Sequence, residues 1–379
     1  MSLVHERGDV TRHAKRTTQA SGAASAPRCR VECTGGLTPP RSPAQVSRGL
    51  CLIVLTLVTA LPLARGEDAP PKDQARVIAF HGYTQAIELK RGTARAVLTP
   101  QAGGRVLEFS IAGQDAMFLD EQEKNWQPGK PGSISAGRFD YGPELTVIPH
   151  PKIWSGEWTG EITGAYSAKL TSPREEAAGM QLVREFSLVE RNKTVRLTCQ
   201  QTMINISKEV REVCHWGRSF SPGGGICLIP LGGRPSRFPS KYAMYEDSAV
   251  INVRNTDEKI RERDGFLEIL APPRKPKLGF DSQAGWLGYL LPNGTLFVKR
   301  FTTYPDRVYS EAAGLTLSVW YPTGPRIELE PIGPRERLRP GESAAFTEEW
   351  WLLKFPFPKE GEQIDLKELS ERVTQHTAQ

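Results

Sequence analysis

Residues 180–207 constrain the fold more than any other part of the sequence. The segment reads MQLVREFSLVERNKTVRLTCQQTMINIS, in which apolar and polar side chains alternate along two runs. Such alternation puts successive side chains on opposite faces of a β-strand. The polar break at residues 190–193 separates the runs and predicts the turn of a β-hairpin. We therefore expect this segment to form two neighbouring strands of an antiparallel sheet.

Similar alternating runs recur along most of the chain after residue 75. They are separated by glycine and proline, which favour turns and loops. Further strands are expected at residues 75–80, 86–90, 94–99, 105–111, 211–220, 225–230, 248–254, 266–270, 284–291, 295–301, 314–321, 326–330 and 343–354. A dozen or more short strands with almost no helix predict an all-β fold, a large antiparallel β-sandwich.

The C-terminal tail, residues 356–379, carries the one helix that the sequence predicts. Asp365 is suited to cap its first turn, and the helix is expected to run to about residue 375. Leu366, Leu369 and Val373 recur at helical spacing and form one apolar stripe. The tail should therefore pack this stripe against the sandwich.

Residues 121–156 interrupt the alternation. They are rich in glycine, proline and tryptophan and show little periodicity, which predicts a long loop over one face of the sandwich. Long loops in compact domains are often functional. Trp126 and Trp154 in this loop are candidates for stacking on a ligand, since large amphipathic rings suit that role.

An apolar segment near the N-terminus predicts export. Residues 50–63, LCLIVLTLVTALPL, carry no charge but are shorter than the roughly 20 residues that span a membrane as a helix. They fit a signal peptide cleaved after Gly66, which implies a periplasmic or secreted protein without stable membrane insertion after cleavage. The expected organisation is a disordered or wrongly assigned extension (1–46), a signal peptide (47–66), a linker (67–74), the sandwich (75–355) and the tail.

The charge distribution argues against nucleic acid as a partner. The chain has a net charge of +6, but residues 1–66 hold nine Lys or Arg against three Asp or Glu and account for all of it. The remaining sequence is balanced, so no strong field would steer the protein to DNA or to anionic membranes.

The cysteines and short motifs predict no metal or other cofactor. Cys199, Cys214 and Cys227 follow the apolar segment, and their spacing matches no zinc site. A Cys199–Cys214 disulfide and buried thiols are both compatible with the sequence. The glycines at 223–225 lack phosphate-loop spacing, and the chain has neither a nucleophile elbow nor a zinc-binding helix motif.

Three segments together resemble the galactose mutarotase-like, or aldose 1-epimerase-like, β-sandwich superfamily. They are TPQAGGRVLEFSIAGQDAMFL (99–119), TMINISKEVREVCHWGRSF (202–220) and RIELEPIGPRERLRPGESAAFTEEWWLL (326–353). The likeness covers roughly residues 75–355 and is closest to an uncharacterised bacterial group. It implies a sandwich fold and a carbohydrate as ligand.

The resemblance also implies an acid–base pair. Glu330, in Leu-Glu-Pro, matches the strand that carries the epimerases' catalytic glutamate, and His215-Trp216 matches their histidine–aromatic pair. Glu330 would remove the proton of the anomeric hydroxyl, and His215 would protonate the ring oxygen. His150 is the only nearby counterpart of a second epimerase histidine. In strand geometry Glu328 shares a face with Glu330.

Seven further residues are candidates for binding the substrate, because planar and charged side chains near sheet ends suit sugar hydroxyls. They are Arg105, Arg138, Asp140, Glu144, Trp216, Arg218 and Lys299.

The sequence thus supports two functions, for a monomer or a dimer. One is an exported aldose 1-epimerase-like isomerase acting on a small or polymeric carbohydrate. The other is a glycan-binding module of the same fold without the acid–base pair. Polysaccharide cleavage ranks third, because it normally requires an additional helical domain.

Overall fold

A computed structural model describes residues 73–191, 194–246 and 250–377 of the chain. The N-terminal extension, the expected signal peptide and most of the linker lie outside the described residues. Export therefore stays a prediction from the sequence. No helix in the described residues is long and apolar enough to cross a membrane.

β-Strands make up about half of the described chain and are joined by turns and loops. The strands of the first half are β1 (Arg76–Phe80), β2 (Tyr83–Arg91), β3 (Ala94–Thr99), β4 (Arg105–Ile111), β5 (Gln114–Asp115), β6 (Gly137–Gly142), β7 (Thr159–Gly164), β8 (Ser167–Thr171), β9 (Met180–Arg191), β10 (Thr194–Asn205), β11 (Arg211–Pro222) and β12 (Ile226–Pro230). Those of the second half are β13 (Ala243–Tyr245), β14 (Ile251–Asn252), β15 (Ile260–Arg263), β16 (Phe266–Ile269), β17 (Lys277–Phe280), β18 (Trp286–Leu290), β19 (Thr295–Phe301), β20 (Leu317–Trp320), β21 (Arg326–Pro331), β22 (Glu336–Leu338) and β23 (Ser343–Lys354). The helices are α1 (Glu121–Lys124), α2 (Pro151–Trp154) and α3 (Leu366–Thr377), with a 3₁₀ turn at Ala312–Gly314.

These strands form two antiparallel sheets. The first has the order β1-β2-β3-β4-β6-β11-β21-β20-β17-β13-β14, with β5 beside β4 and β22 beside β11. The second has the order β15-β16-β12-β18-β19-β23-β10-β9-β8-β7. The expected all-β antiparallel sandwich is confirmed.

The hairpin at residues 180–207 forms as predicted. β9 and β10 pair along their whole length, from Arg191 opposite Thr194 to Met180 opposite Asn205. Alternate residues of both strands are buried, because one face of each strand meets the first sheet. The large apolar core lies between the sheets, where Phe139 of β6 stacks on Trp350 of β23 with ring centroids 5.5 Å apart.

The tail helix also forms as predicted and covers the opposite face of the second sheet. The Asp365 carboxylate accepts a hydrogen bond from the backbone N–H of Glu368, which caps the first turn of α3. Leu366, Leu369 and Val373 are buried and pack in a cluster that includes Trp351 of β23.

The segment 121–156 is more ordered than the predicted long loop. It contains α1, α2 and the whole of β6, which is a central strand of the first sheet. Every residue of β6 is buried, including Arg138 and Asp140. The sequence GRFDYG therefore shows no apolar–polar alternation, and the strand could not be recognised from its pattern.

Candidate functional site

The face of the first sheet that is turned away from the second sheet, called the outer face below, carries the candidate site. Along β11, Val213 joins the core between the sheets, whereas Cys214 and Trp216 join a separate cluster on the outer face. Arg218 follows Trp216 on that face. In β21, Ile327 and Leu329 belong to the core, so Glu328 and Glu330 share the outer face, as predicted.

Glu330 lies at the centre of this face and is fully buried. Its carboxylate accepts hydrogen bonds from the Trp216 indole N–H at 2.7 Å and from Lys277 Nζ at 2.7 and 2.8 Å. Burial raises the pKa of Glu330 to about 7, with Lys277 acting in the opposite direction. The pKa of Lys277 is itself raised, because Glu330 and its neighbours outweigh the effect of burial. The carboxyl is thus a proton acceptor poised near neutrality.

Arg218 of β11 lies between Glu328 of β21 and Asp140 of β6. Its Nε donates to Glu328 at 2.7 Å, and its Nη1 lies 4.0 Å from the Asp140 carboxylate in β6. The expected substrate-binding residues Asp140, Trp216 and Arg218 are therefore brought together with Glu330 on one face.

Asp140 contacts His150, the histidine that the sequence analysis matched to a second epimerase histidine. His150 Nε2 lies 2.8 Å from Asp140 Oδ1, and Nδ1 lies 2.7 Å from the carbonyl oxygen of Ile148. Both ring nitrogens face acceptors, so the doubly protonated imidazolium is favoured. Although burial lowers the pKa of His150, the hydrogen bond and charge of Asp140 raise it overall. The contacts of His150 with Asp140 and Ile148 thus favour its protonated form, on the same face as Glu330.

Cations and aromatic rings alternate across this face. Arg218 lies between the rings of Trp154, at 4.8 Å, and Trp216, at 4.5 Å. Arg138 covers Trp154 at 4.3 Å, and Lys277 lies 5.3 Å from the Trp216 ring. The faces of Trp154 and Trp216 are therefore occupied by the protein's own cations. Trp126, the other predicted stacking residue, is buried against Tyr83.

A cleft of about 520 Å³ opens over these residues. Charged groups at or near its floor include Arg218, Lys277 and Glu328, and Trp320 and Tyr245 supply aromatic walls. The full lining is Ile134, Glu144, Leu145, Arg218, Tyr245, Glu246, Lys275, Pro276, Lys277, Glu311, Ala312, Trp320 and Glu328. Glu330 lies beneath Lys277 and is not itself part of the lining.

Glu311 is a cleft residue that the sequence did not reveal. Its Oε2 accepts the backbone N–H of Glu144 at 2.8 Å, which ties the turn after β6 to the wall of the cleft. Burial raises the pKa of Glu311. Glu144, an expected substrate-binding residue, stands at the rim with its carboxylate 3.9 Å from Lys277 Nζ. Glu311 precedes a short turn rather than lying in a strand, so no alternation pattern marked it.

The expected His215–Glu330 pair does not form, because the two side chains lie on opposite faces of the first sheet. His215 points into the sandwich, is 1% exposed and stacks on Phe346. Its Nε2 lies 2.8 Å from Glu348, and its Nδ1 lies 3.2 Å from the Gln201 amide nitrogen. The ring is therefore satisfied as a neutral imidazole, and burial lowers its pKa.

Lys299, expected to bind substrate, belongs to the same interior cluster. Its Nζ lies 3.0 Å from Glu348 and donates to Ser219 and to the carbonyl oxygen of Leu329. Burial alone would raise the pKa of Glu348, but Lys299, His215 and Trp350 together lower it to about 2. Lys299 is fully buried between the sheets and has no access to the cleft.

Arg105 and Arg138 lie on the outer face but are covered by the segment 121–135. Arg105 pairs with Glu123 of α1 at 2.6 Å and donates to the Tyr83 hydroxyl, which places it in a closed ion-pair network. Arg138 donates to the carbonyl oxygens of Ser133 and Trp154. Neither guanidinium reaches the cleft in this structure, so their expected role in substrate binding is not supported by the geometry.

The remaining expectations concern metals and cysteines. Within the described residues, no group of three or more His, Cys, Asp or Glu side chains is placed to hold a metal ion. Cys199, Cys214 and Cys227 are buried thiols. Cys199 faces the core and Cys214 faces the outer side of the first sheet, so these two cysteines do not form a disulfide with each other.

Comparisons with known proteins identify the fold. No protein-family profile and no curated protein sequence matches the chain. Among solved structures, Slr1438 of Synechocystis sp. PCC 6803 aligns with a TM-score of 0.51 at 14% identity, over 74% of this chain and 99% of that one. A galactose mutarotase-like protein of Lactobacillus casei aligns with a TM-score of 0.50 at 10% identity, over 71% and 100%.

A third structure, a galactose mutarotase related enzyme of Lactobacillus acidophilus, aligns with a TM-score of 0.50 at 10% identity, over 72% of this chain and 98% of that one. The protein thus has the galactose mutarotase-like β-sandwich fold that the sequence resemblance predicted. At such identities the likeness defines the fold, while the function has to be argued from the site.

Proposed function

We propose that the protein binds carbohydrate in the cleft on the outer face of the first sheet. One observation carries this proposal: Arg218, Glu328 and Lys277 are held in fixed hydrogen-bonded positions beside Trp320 and Tyr245. Sugars present hydroxyl groups around an apolar ring face. A site that combines orienting polar groups with aromatic walls suits them.

The charges of the cleft indicate an uncharged sugar rather than a strongly ionic one. Arg218 is balanced by Glu328, Lys277 by Glu330, and Glu246 by Arg274. These pairs leave no cluster of unpaired cations among them to bind a phosphorylated or multiply acidic ligand. Hydroxyl groups, in contrast, can donate to the carboxylates and accept from the cations without disturbing these pairs.

Calorimetric titration with methyl glycosides of the common hexoses and with their disaccharides tests the proposal. Wild-type protein should bind at least one of them, and Arg218→Met should weaken that binding about tenfold or more, because it removes a charged hydrogen-bond donor. Arg335→Met is the matched control, since Arg335 pairs with Glu212 at an exposed position away from the cleft. Absence of binding across the panel, or equal losses in both variants, would contradict the proposal.

A second candidate function is aldose 1-epimerase-like isomerisation, favoured by the raised pKa of Glu330. With His215 inside the sandwich, the acid would be His150. Glu330 would take the proton of the anomeric hydroxyl while the His150 imidazolium protonates the ring oxygen. The ring carbon–oxygen bond then breaks to give the open-chain aldehyde, and closure after rotation restores both protons. Because Glu330 lies beneath Lys277, binding alone remains the first proposal.

Saturation-transfer NMR of anomer exchange distinguishes the two functions. Isomerisation predicts enhanced exchange of at least one aldose, lost in Glu330→Gln and in His150→Gln but retained in His81→Gln, an unrelated histidine at the turn after β1. Exchange at the spontaneous rate in wild-type protein that binds the same sugar would remove the isomerase function and leave binding.

We also propose that the protein is exported, on the strength of the apolar segment at residues 50–63. Expression of the full chain in a bacterium, followed by fractionation and N-terminal sequencing, should give a periplasmic form beginning at Glu67. An uncleaved cytoplasmic product would contradict this.

A further inference from the structure

We propose that the ligand of the cleft is a glycoside with an apolar aglycone. In this arrangement the sugar lies on the polar floor and the aglycone lies against Ile134 and Leu145 at the rim. The inference rests on the proposed carbohydrate binding and adds the chemical class of the ligand.

The cleft has two chemically different ends. Its floor carries the Arg218–Glu328 ion pair at 2.7 Å, with Lys277 above the buried Glu330. Its rim on the side of the segment 121–156 carries Leu145, 71% exposed, and Ile134, 50% exposed. Branched aliphatic side chains that line a cavity while remaining in water offer apolar area to a ligand.

The protein fixes both aliphatic residues in their exposed positions. Leu145 belongs to a turn in which the Pro143 carbonyl oxygen accepts the N–H groups of Thr146 and Val147, each at 3.1 Å. The N–H of Glu144 is bound by Glu311, so the turn is anchored to the cleft wall.

Ile134 is held in a similar way, between two serines. The Ser133 hydroxyl donates to Glu123 at 2.9 Å, and the Ser135 hydroxyl to the same carboxylate at 3.2 Å. Both serines point to the buried Glu123–Arg105 network, so the residue between them is directed outward. A preorganised apolar rim reduces the entropy lost when a ligand binds.

The size of the cleft agrees with a ligand larger than a single sugar. Its volume of about 520 Å³ falls within the range of roughly 300–1,000 Å³ typical of sites for drug-sized ligands. A fully hydroxylated sugar against Leu145 and Ile134 would lose hydration without gaining hydrogen bonds. An aryl or alkyl group attached to the anomeric oxygen gains apolar contact there.

Paired titrations with methyl and phenyl glycosides of the same hexoses test the inference. The phenyl glycoside should bind about tenfold more tightly than its methyl counterpart, as burial of one apolar ring against the rim implies. In Leu145→Ser and in Ile134→Ser most of this preference should disappear, because the phenyl glycoside loses more affinity than its methyl counterpart.

Two control variants sharpen the test. Leu145→Met keeps an apolar side chain and should keep the preference. Val77→Ser removes an apolar residue that is 53% exposed on β1, at the far edge of the same sheet, and should change nothing. Equal affinity for the two glycosides, or a preference that survives loss of both rim residues, would overturn the inference while leaving carbohydrate binding intact. Failure of every methyl and phenyl glycoside to bind would overturn carbohydrate binding itself.

Discussion

His215 Nε2 lies 2.8 Å from Oε1 of Glu348, inside the sandwich and on the opposite face of the first sheet from Glu330. Through this contact β11 of the first sheet is joined to β23 of the second. The same carboxylate also binds Lys299 and the Trp350 indole N–H. The histidine expected to donate a proton to a sugar is thus part of a buried polar network that connects the two sheets.

Loss of the Glu348 carboxylate should destabilise the protein strongly. Glu348→Ala leaves the Lys299 ammonium buried without a counter-charge, and removal of one partner of a buried ion pair typically costs about 3–5 kcal/mol. Urea denaturation followed by tryptophan fluorescence measures this loss.

The neighbouring Glu349 supplies the control for that variant. Glu349 pairs with Arg196 at 3.0 Å where both side chains are partly exposed, so Glu349→Ala should cost no more than about 1 kcal/mol. Similar losses in the two variants would show that the interior cluster has no special structural role.

The interior cluster should also make stability depend on acidity. The pKa of Glu348 is lowered to about 2 in the folded protein, from about 4.5 in an exposed glutamate. A carboxyl with a lowered folded-state pKa contributes stability that is present above its unfolded pKa. That contribution is lost as the pH falls from about 4.5 towards 2, and its size is roughly 3 kcal/mol. Unfolding free energies of wild type and Glu348→Gln between pH 7 and pH 3 should therefore converge at low pH. A constant difference would contradict the assignment.

The Lys277–Glu330 pair on the outer face should make stability depend on pH in the opposite direction to Glu348, with the loss at high pH. Lys277→Met removes the cation that holds Glu330 ionised, so the already raised pKa of that carboxyl rises further. When the pKa of a carboxyl is higher in the folded than in the unfolded protein, stability falls as the pH rises above the unfolded pKa. The loss continues until the pH passes the folded pKa. The variant should lose more stability, relative to wild type, at pH 8 than at pH 5, by at least about 1 kcal/mol. Equal losses at both pH values would mean that Glu330 and Lys277 are not coupled.

The elements with a regular pattern were predictable from the sequence. Alternation located β9, β10 and β23, and helical spacing located α3, because each presents an apolar face to the core. β6 escaped prediction because both of its faces are covered, so its charged residues are buried as well as its apolar ones. The charged residues of β6 are covered by the segments before and after the strand, and such cover leaves no alternation in the strand's own sequence.

The site was partly predictable, and strand geometry could have corrected one error. Glu328 and Glu330 share a face by the two-residue period, and so do Trp216 and Arg218. By the same rule His215 and Trp216 point in opposite directions, so they cannot both face one cleft. Which of them faces the core depends on the partner across the sandwich. That partner, Glu348, lies 133 residues away. In the sequence it stands next to Glu349, and nothing in the local pattern distinguishes it from an exposed glutamate.

The indole N–H resonances of selectively labelled tryptophan give the most direct test of the proposed cleft. Trp320 lines the cleft and Trp216 lies beneath the cleft residues Arg218 and Lys277, beside Glu330, whereas Trp286 and Trp351 pack in the cluster under α3 on the second sheet. Titration with the methyl hexosides, with signals assigned by Trp→Phe variants, should shift Trp320 and Trp216 and leave Trp286 and Trp351 unchanged. Shifts confined to Trp286 or Trp351, or no shift with any sugar, would contradict carbohydrate binding in this cleft.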